Sequence, residues 1–106
     1  MKKRRPPRPA HGDLSARTDA AAALAIAAIG FIAGEPEQLG RFLALSGIGP
    51  DSLRSAAREP NFLLGVLDHV AGDEALLIAF ASQSGIDPGE VARARDVLAG
   101  GTPEAP

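Results

Sequence analysis

Ala33-Gly34-Glu35 and Ser46-Gly47-Ile48-Gly49-Pro50 recur later in the chain as Ala71-Gly72-Asp73 and Ser84-Gly85-Ile86-Asp87-Pro88. Over the 22 positions from 33 to 54, eight residues are identical to the residue 38 positions further on. The identical residues include Gly34, Gly47 and Pro50, and these residue types set where helices end and begin. The recurrence therefore predicts a duplicated helical unit.

Helix-type spacing of apolar residues extends through the rest of the chain. No segment shows the two-residue alternation of a half-buried strand. We expect the first helix to begin near Thr18, whose hydroxyl can cap free amides, and to end at Gly34. Gly47 is expected to close the second helix in the left-handed conformation. The six helices are expected near residues 18–33, 35–46, 50–59, 61–71, 73–84 and 87–99.

These helices predict an all-α fold, a compact bundle of about six short helices built as two pseudo-symmetric three-helix units. Phe42 and Phe80 should be equivalent core residues, since they lie at the same position of the two copies. The domain boundaries are expected to be a disordered basic arm over 1–17, one helical domain over 18–99 and a disordered tail over 100–106. Within the domain the repeat divides into 18–59 and 60–99.

The charges of the chain are unevenly distributed. Residues 1–17 hold six lysines and arginines against one aspartate, a net charge of +5. Residues 18–99 hold five arginines against eleven carboxylates, a net charge of −6. Cysteine is absent, which excludes a disulfide framework, a thiolate zinc site and a cysteine nucleophile. A chain without cysteine suits a reducing compartment, and we expect a cytoplasmic protein.

The apolar run over residues 20–33 follows the basic arm, as the core of a signal peptide would. The run is mostly alanine, and Asp13 and Asp19 separate it from the basic residues. A membrane-spanning helix needs about 20 apolar residues, which is more than this run provides. We therefore expect this run to be a helix of the folded domain, without a membrane partner.

Several short motifs resemble a known family. They are Arg41-Phe42-Leu43-Ala44-Leu45-Ser46-Gly47-Ile48, Leu53-Arg54, Val66-Leu67-Asp68-His69 and Asp73-Glu74-Ala75-Leu76-Leu77. Together they resemble a bacterial family of short all-helical proteins labelled only as a domain of unknown function. The resemblance extends from about Ala21 to Leu98 and implies an all-helical fold. It carries no activity, cofactor or catalytic residue over to this chain.

The turn Gly47-Ile48-Gly49-Pro50 is similar to the hairpin of helix-hairpin-helix DNA-binding proteins, where backbone amides face a phosphate. Asp51 stands where a phosphate would approach, and Asp87 replaces Gly49 in the second copy. The favoured interpretation is therefore that these residues only end one helix and begin the next. The alternative is nucleic-acid contact by the hairpin together with the basic arm. Its candidate residues are Lys2, Lys3, Arg4, Arg5, Arg8, Gly47, Gly49 and Arg54.

Residue types that often perform catalysis occur here without partners. Asp68 and His69 are adjacent on a helix and point about 100° apart, so they do not converge on one substrate or ion. No second structured histidine stands at a metal-ligand spacing. The paired carboxylates Glu35 with Glu37 and Asp73 with Glu74 open helices, where negative charge is stabilised. We predict no catalytic residue, no metal site and no cofactor, and thus no enzyme.

The apolar character of the first, fourth and fifth helices is high for so small a domain. Some of that surface should remain exposed as a groove or a self-association face. The sequence therefore favours a small non-catalytic protein-interaction module, acting on another protein or as a homodimer. The alternative is a nucleic-acid-associated protein that uses the arm and the hairpin. No small-molecule substrate is indicated.

Overall fold

The computed structural model describes residues 10–100, with side chains from residue 16 onward. Within this range the chain forms six α-helices and one 3₁₀ turn and no strand, which confirms the predicted all-α class. The helices are α1 (Ala10–Ala33), α2 (Pro36–Ser46), α3 (Leu53–Ala56), α4 (Pro60–Ala71), α5 (Glu74–Ser84) and α6 (Gly89–Leu98), and the 3₁₀ turn (Pro50–Ser52) leads into α3.

The first helix begins at Ala10, so the predicted start near Thr18 is wrong. Pro6, Pro7 and Pro9 all precede Ala10, and no proline follows until Pro36. Once the alanine-rich part of α1 is helical, adding residues at its N-terminal end requires no new nucleation. Residues 10–17, assigned to the disordered arm, are therefore helical. Residues 1–9 and 101–106 of the predicted arm and tail lie outside the described part of the chain.

The repeated sequence produces a repeated backbone at both ends of α2 and α5. The residues that precede these helices are extended, with φ and ψ of −118° and 101° at Glu35 and −124° and 104° at Asp73. The residues that follow them, Gly47 and Gly85, are left-handed, with φ of 74° and 70°. The predicted role of Gly47 as a left-handed helix end is confirmed, and its repeat counterpart Gly85 has the same conformation.

The core lies where α1, α4 and α6 meet, and α2 packs on α1 while α5 packs on α4. Phe42 of α2 and Phe80 of α5 are both buried, as the repeat predicts. The remaining buried positions of the core cluster are Ala21, Ala25, Ala28, Ile32, Leu63, Val66, Leu67, Val70, Leu76, Val91 and Ala94. The helix α1 is less enclosed than its composition suggests, because Ile26 is 51% exposed.

The third helix of each half takes a different place in the bundle. Helix α6 packs extensively against both α1 and α4. Its counterpart in the first half, the 3₁₀ turn with α3, has no comparable packing against either helix. The predicted single helix over 50–59 is also divided, because only Leu53–Ala56 is α-helical.

One segment of α1, Ala16–Ala33, is apolar and long enough to cross a membrane by length and composition, with a mean hydropathy of 1.5. It is longer than the run over 20–33 considered from the sequence, because the helix begins earlier. The same segment supplies Ala21, Ala25, Ala28 and Ile32 to the core. A core helix of a folded domain and a signal sequence can both have this length and composition, and 22% of the segment is buried.

Candidate functional site

An open groove of about 290 Å³ lies between the C-terminal half of α2 and one face of α4. Its size is near the lower end of the range for ligand sites, roughly 300–1,000 Å³, so it fits one or two side chains. None of its lining residues carries a formal charge at neutral pH when histidine is neutral. The lining consists of Phe42, Leu45, Ser46, Ile48, Asn61, Phe62, Gly65 and His69.

The end of α2 positions one wall of the groove. Gly47 adopts φ 74°, and its N–H donates to the carbonyl of Leu43 at 2.9 Å. The Ser46 hydroxyl donates to the same carbonyl at 3.3 Å and accepts from the N–H of Ile48, also at 3.3 Å. This closed turn directs the chain back toward α4, so that Ile48 becomes part of the wall.

Three rings form the base of the groove. Phe42 is only 5% exposed, and its ring meets Phe62 edge-on with a centroid distance of 5.7 Å. The imidazole of His69 meets the same Phe42 ring edge-on at 5.1 Å. Edge-to-face pairs at these distances are favourable beyond their buried area. The base is therefore a packed surface that does not depend on an occupant.

His69 is half-buried in the wall formed by α4. Its Nε2 is buried and has no hydrogen-bond partner within the described residues. Burial lowers the pKa of His69 below 6.5, and Arg41 lowers it further, while Asp73 opposes both effects. The imidazole is therefore neutral at pH 7 and contributes to an uncharged wall.

Gly65 opens the groove at the centre of the α4 face. A Cβ atom at this position would meet nothing within 4 Å. Glycine inside a helix costs roughly 0.5–1 kcal/mol relative to alanine, so this residue is unfavourable for the helix itself. It serves no close helix crossing, and the space above it belongs to the groove.

Leu45 stands at the rim with 71% of its surface exposed. The corresponding residue of the second repeat is Gln83. In the same alignment of the two repeats, Gly65 corresponds to Ala27 and His69 to Phe31. The groove therefore lies where the two repeats differ. At its rim the first repeat has leucine where the second has glutamine, and on α4 the second repeat has glycine where the first has alanine.

The residues predicted for nucleic-acid contact do not converge on this groove. Lys2, Lys3, Arg4, Arg5 and Arg8 lie outside the described residues. Of the others, only Gly47 adjoins the groove, through the turn it closes. Gly49 has φ −80° and ψ 159°, a conformation open to any residue, and it precedes the 3₁₀ turn. Arg54 is exposed in the last turn of α3.

The carboxylates interpreted from the sequence as helix-start residues do lie at helix starts. Asp73 caps α5, with its Oδ1 accepting from the N–H of Leu76 at 3.1 Å. Glu35 precedes α2 in the same backbone conformation but makes no capping hydrogen bond through its side chain. Within residues 10–100, no group of three histidine or carboxylate side chains is placed to hold a metal ion.

The sequence of the chain matches one described family over residues 18–101, under the description "Protein of unknown function (DUF3572)". The chain belongs to the DUF3572 family. The earlier resemblance to a helical domain of unknown function is thereby confirmed. Comparison of this DUF3572 chain with curated proteins and with solved structures found no match.

The sequence did not predict the groove between α2 and α4 of this DUF3572 chain. It also did not predict the lowered pKa of His69. The imidazole is half-buried and neutral, because the rings around it desolvate the charged form. A signal was nevertheless present, since Leu45, Gly65 and His69 all differ from their repeat counterparts in size or polarity.

Proposed function

We propose that this DUF3572 chain is a non-catalytic protein-interaction module that receives a partner in the groove between α2 and α4. The observation that carries the proposal is the exposed Leu45 beside an open, uncharged groove over Gly65. An exposed leucine alone is ordinary in folded proteins. A leucine at the rim of an apolar groove adds a contiguous surface that a partner can cover.

The groove offers a partner hydrophobic burial at a defined place. Complete burial of one leucine or phenylalanine side chain contributes about 1.5–3 kcal/mol. Leu45 still exposes most of its surface, whereas Phe42 is already packed. A partner therefore gains most by covering Leu45 and filling the space over Gly65, without having to reorder the ring cluster.

We also infer that the groove performs no catalysis. Among the described residues, no carboxylate is hydrogen-bonded to the Nε2 of His69 to orient the ring as a general base. The Ser46 hydroxyl is engaged by the turn that it closes. These arrangements favour a recognition surface, and the cytoplasm remains our proposal for where it acts, on the basis of the cysteine-free composition.

We further propose an approximate twofold axis relating α1–α2 to α4–α5. Two ring contacts support it, Phe31 with Phe80 at 5.6 Å and His69 with Phe42 at 5.1 Å. Phe31 and His69 are counterparts in the two repeats, and so are Phe42 and Phe80. A twofold axis that exchanges the repeats would therefore place one ring pair onto the other. The axis applies to these four helices, because α3 and α6 take different places.

Affinity capture with three forms of the full chain tests the docking proposal. Gly65→Leu fills the groove, while Gly40→Leu places the same side chain on α2, also where a Cβ meets nothing within 4 Å. We expect a partner retained by the wild-type chain and by Gly40→Leu to be lost with Gly65→Leu. Equal retention by all three forms, with circular dichroism confirming their fold, would overturn the groove as the docking site.

A further inference from the structure

The Nε2 atom of His69 is buried without a hydrogen-bond partner among the described residues. A neutral imidazole carries one N–H and can leave its second nitrogen as a bare acceptor. A protonated imidazole carries an N–H on both nitrogens. At this position it would bury a charged donor with no acceptor, which costs more free energy than burying the neutral ring. The observed packing therefore accommodates only the neutral form.

The ring of His69 also joins two helices. It extends from α4 and meets the buried Phe42 of α2 edge-on at a centroid distance of 5.1 Å. Both residues line the groove between these helices. A movement of the imidazole away from Phe42 would therefore change the contact between α2 and α4 and the shape of the groove.

An acceptor for a protonated ring lies four residues further along the chain, at the start of α5. This acceptor is the carboxylate of Asp73, whose charge favours the protonated form of His69. Its Oδ1 accepts from the N–H of Leu76 at 3.1 Å, while its Oδ2 lies 3.7 Å from Nη1 of Arg41. The ion pair with Arg41 is long and its side chains are partly exposed, so it contributes little stability. A second cation can therefore compete for Oδ2 without removing the cap of α5.

We propose that His69 is a pH-sensitive switch between α2 and α4: on protonation its ring leaves Phe42 and pairs with the Asp73 carboxylate in place of Arg41. Burial holds the pKa of His69 below 6.5, so the change occurs below that pH. The switch belongs to the fold and does not require that the groove receive a partner. The uncharged groove is then a feature of neutral pH.

Other charged groups around α4 do not compete for the protonated ring. Asp68 points about 100° away from His69 on the helix and accepts from Arg95 of α6 at 3.1 Å. The remaining charged side chains described on α1, α2, α5 and α6, apart from Arg41, are all exposed to solvent, which screens them. They are Arg17, Asp19, Glu37, Glu74, Glu90, Arg93 and Asp96.

An NMR titration of the His11→Gln variant from about pH 7.5 to about pH 4.5 tests the switch, because His69 is then the only histidine. The imidazole Cε1–H resonance reports protonation, and the nuclear Overhauser effect between His69 and Phe42 reports the ring contact. We expect this contact to be lost as the imidazole takes its proton. The contact between Phe31 and Phe80, the corresponding pair of the other half, is the matched control and should persist.

Two further substitutions in the same background test the partner of the protonated ring. Asp73→Asn keeps an oxygen that can cap α5 but removes the charge, so His69 should take its proton at a lower pH. Arg41→Gln removes the competing cation, so the proton should be taken at a higher pH. A midpoint that is unchanged in both variants would overturn Asp73 as the partner.

The two ring contacts decide whether the switch exists. A contact between His69 and Phe42 that persists after protonation would overturn the proposal. Loss of both ring contacts at the same pH would mean that acid unfolds the whole domain, and it would overturn the proposal equally.

Discussion

His69 and Phe31 occupy the same place in the two repeats, and this equivalence explains much of the histidine's behaviour. Each ring meets the buried phenylalanine of the other half, at 5.1 Å for His69 and 5.6 Å for Phe31. The surroundings of His69 are therefore suited to an aromatic ring. Burial there lowers its pKa, and the nearby Asp73 only partly compensates.

Replacing His69 with phenylalanine should remove one contribution to acid sensitivity. The pKa of His69 is lower in the folded chain than its ordinary value of 6.5, so the unfolded chain binds more protons as the pH falls below 6.5. The free energy of unfolding therefore decreases with falling pH and levels off below the folded-state pKa. His69→Phe should lack this decrease and remain at least as stable as the wild type at neutral pH.

Urea unfolding at about pH 7.5 and about pH 5.5 measures the effect. Other titrating groups are common to both proteins, so the comparison isolates His69. An equal pH dependence in the two proteins would contradict the prediction.

The three glycines of the hairpins should respond differently to alanine. Gly47 and Gly85 have φ of 74° and 70°, which a residue with a Cβ adopts only with strain. We expect Gly47→Ala and Gly85→Ala each to destabilise the fold by about 1 kcal/mol or more. Gly49 has φ −80°, so Gly49→Ala should change stability by less than about 0.5 kcal/mol. Thermal melts of the three variants measure these losses of stability. A Gly49→Ala variant that loses as much stability as the other two would contradict the prediction.

At the scale of helices, the repeat predicted the ends of α2 and α5 better than the start of α1. Glycine at a helix end imposes a local backbone conformation, which is why Gly47 and Gly85 behave alike. The start of α1 has no such residue after Pro9. Its position at Ala10 depends on how far the helix extends from its alanine-rich centre.

The helices α2 and α5 offer a comparison of two first turns. Asp73 caps α5 through the N–H of Leu76, whereas Glu35 makes no such bond at α2. Asp73→Ala should therefore cost about 0.5–2 kcal/mol, and Glu35→Ala less than about 0.5 kcal/mol. Chemical denaturation of both variants provides the measurement. Equal losses would show that the cap contributes little beyond the negative charge at each helix start.

At the scale of the whole molecule, salt distinguishes the two functional hypotheses. Binding to nucleic acid through the basic residues before Ala10 should weaken steeply between about 50 and 200 mM salt, because it releases counterions. Occupation of the groove between α2 and α4 should instead change little over this range, because no lysine, arginine, aspartate or glutamate lines it.

Titrations with duplex DNA and affinity capture by the groove at both salt concentrations make this comparison on one preparation. We expect weak DNA binding, lost when residues 1–9 are deleted. Binding that survives that deletion and falls with Gly49→Asp would favour the hairpin instead. Absence of binding at low salt would remove the nucleic-acid alternative.

The sequence by itself determined the helical class, the approximate helix positions and the left-handed turns at Gly47 and Gly85. These features depend on interactions within a few residues, such as capping, glycine conformation and apolar periodicity. It also predicted the burial of Phe42 and Phe80, because apolar residues in repeated local settings face the same core.

Only the tertiary structure decided the place of α6, the neutral state of His69 and the groove over Gly65. Each depends on distances between segments far apart in the chain. Helix α6 is in the core because it fits between α1 and α4, and its repeat counterpart has no such position. His69 is neutral because packing removes water from its ring. Gly65 lines a groove because α2 and α4 leave space between them, and spacing along a sequence does not specify that separation.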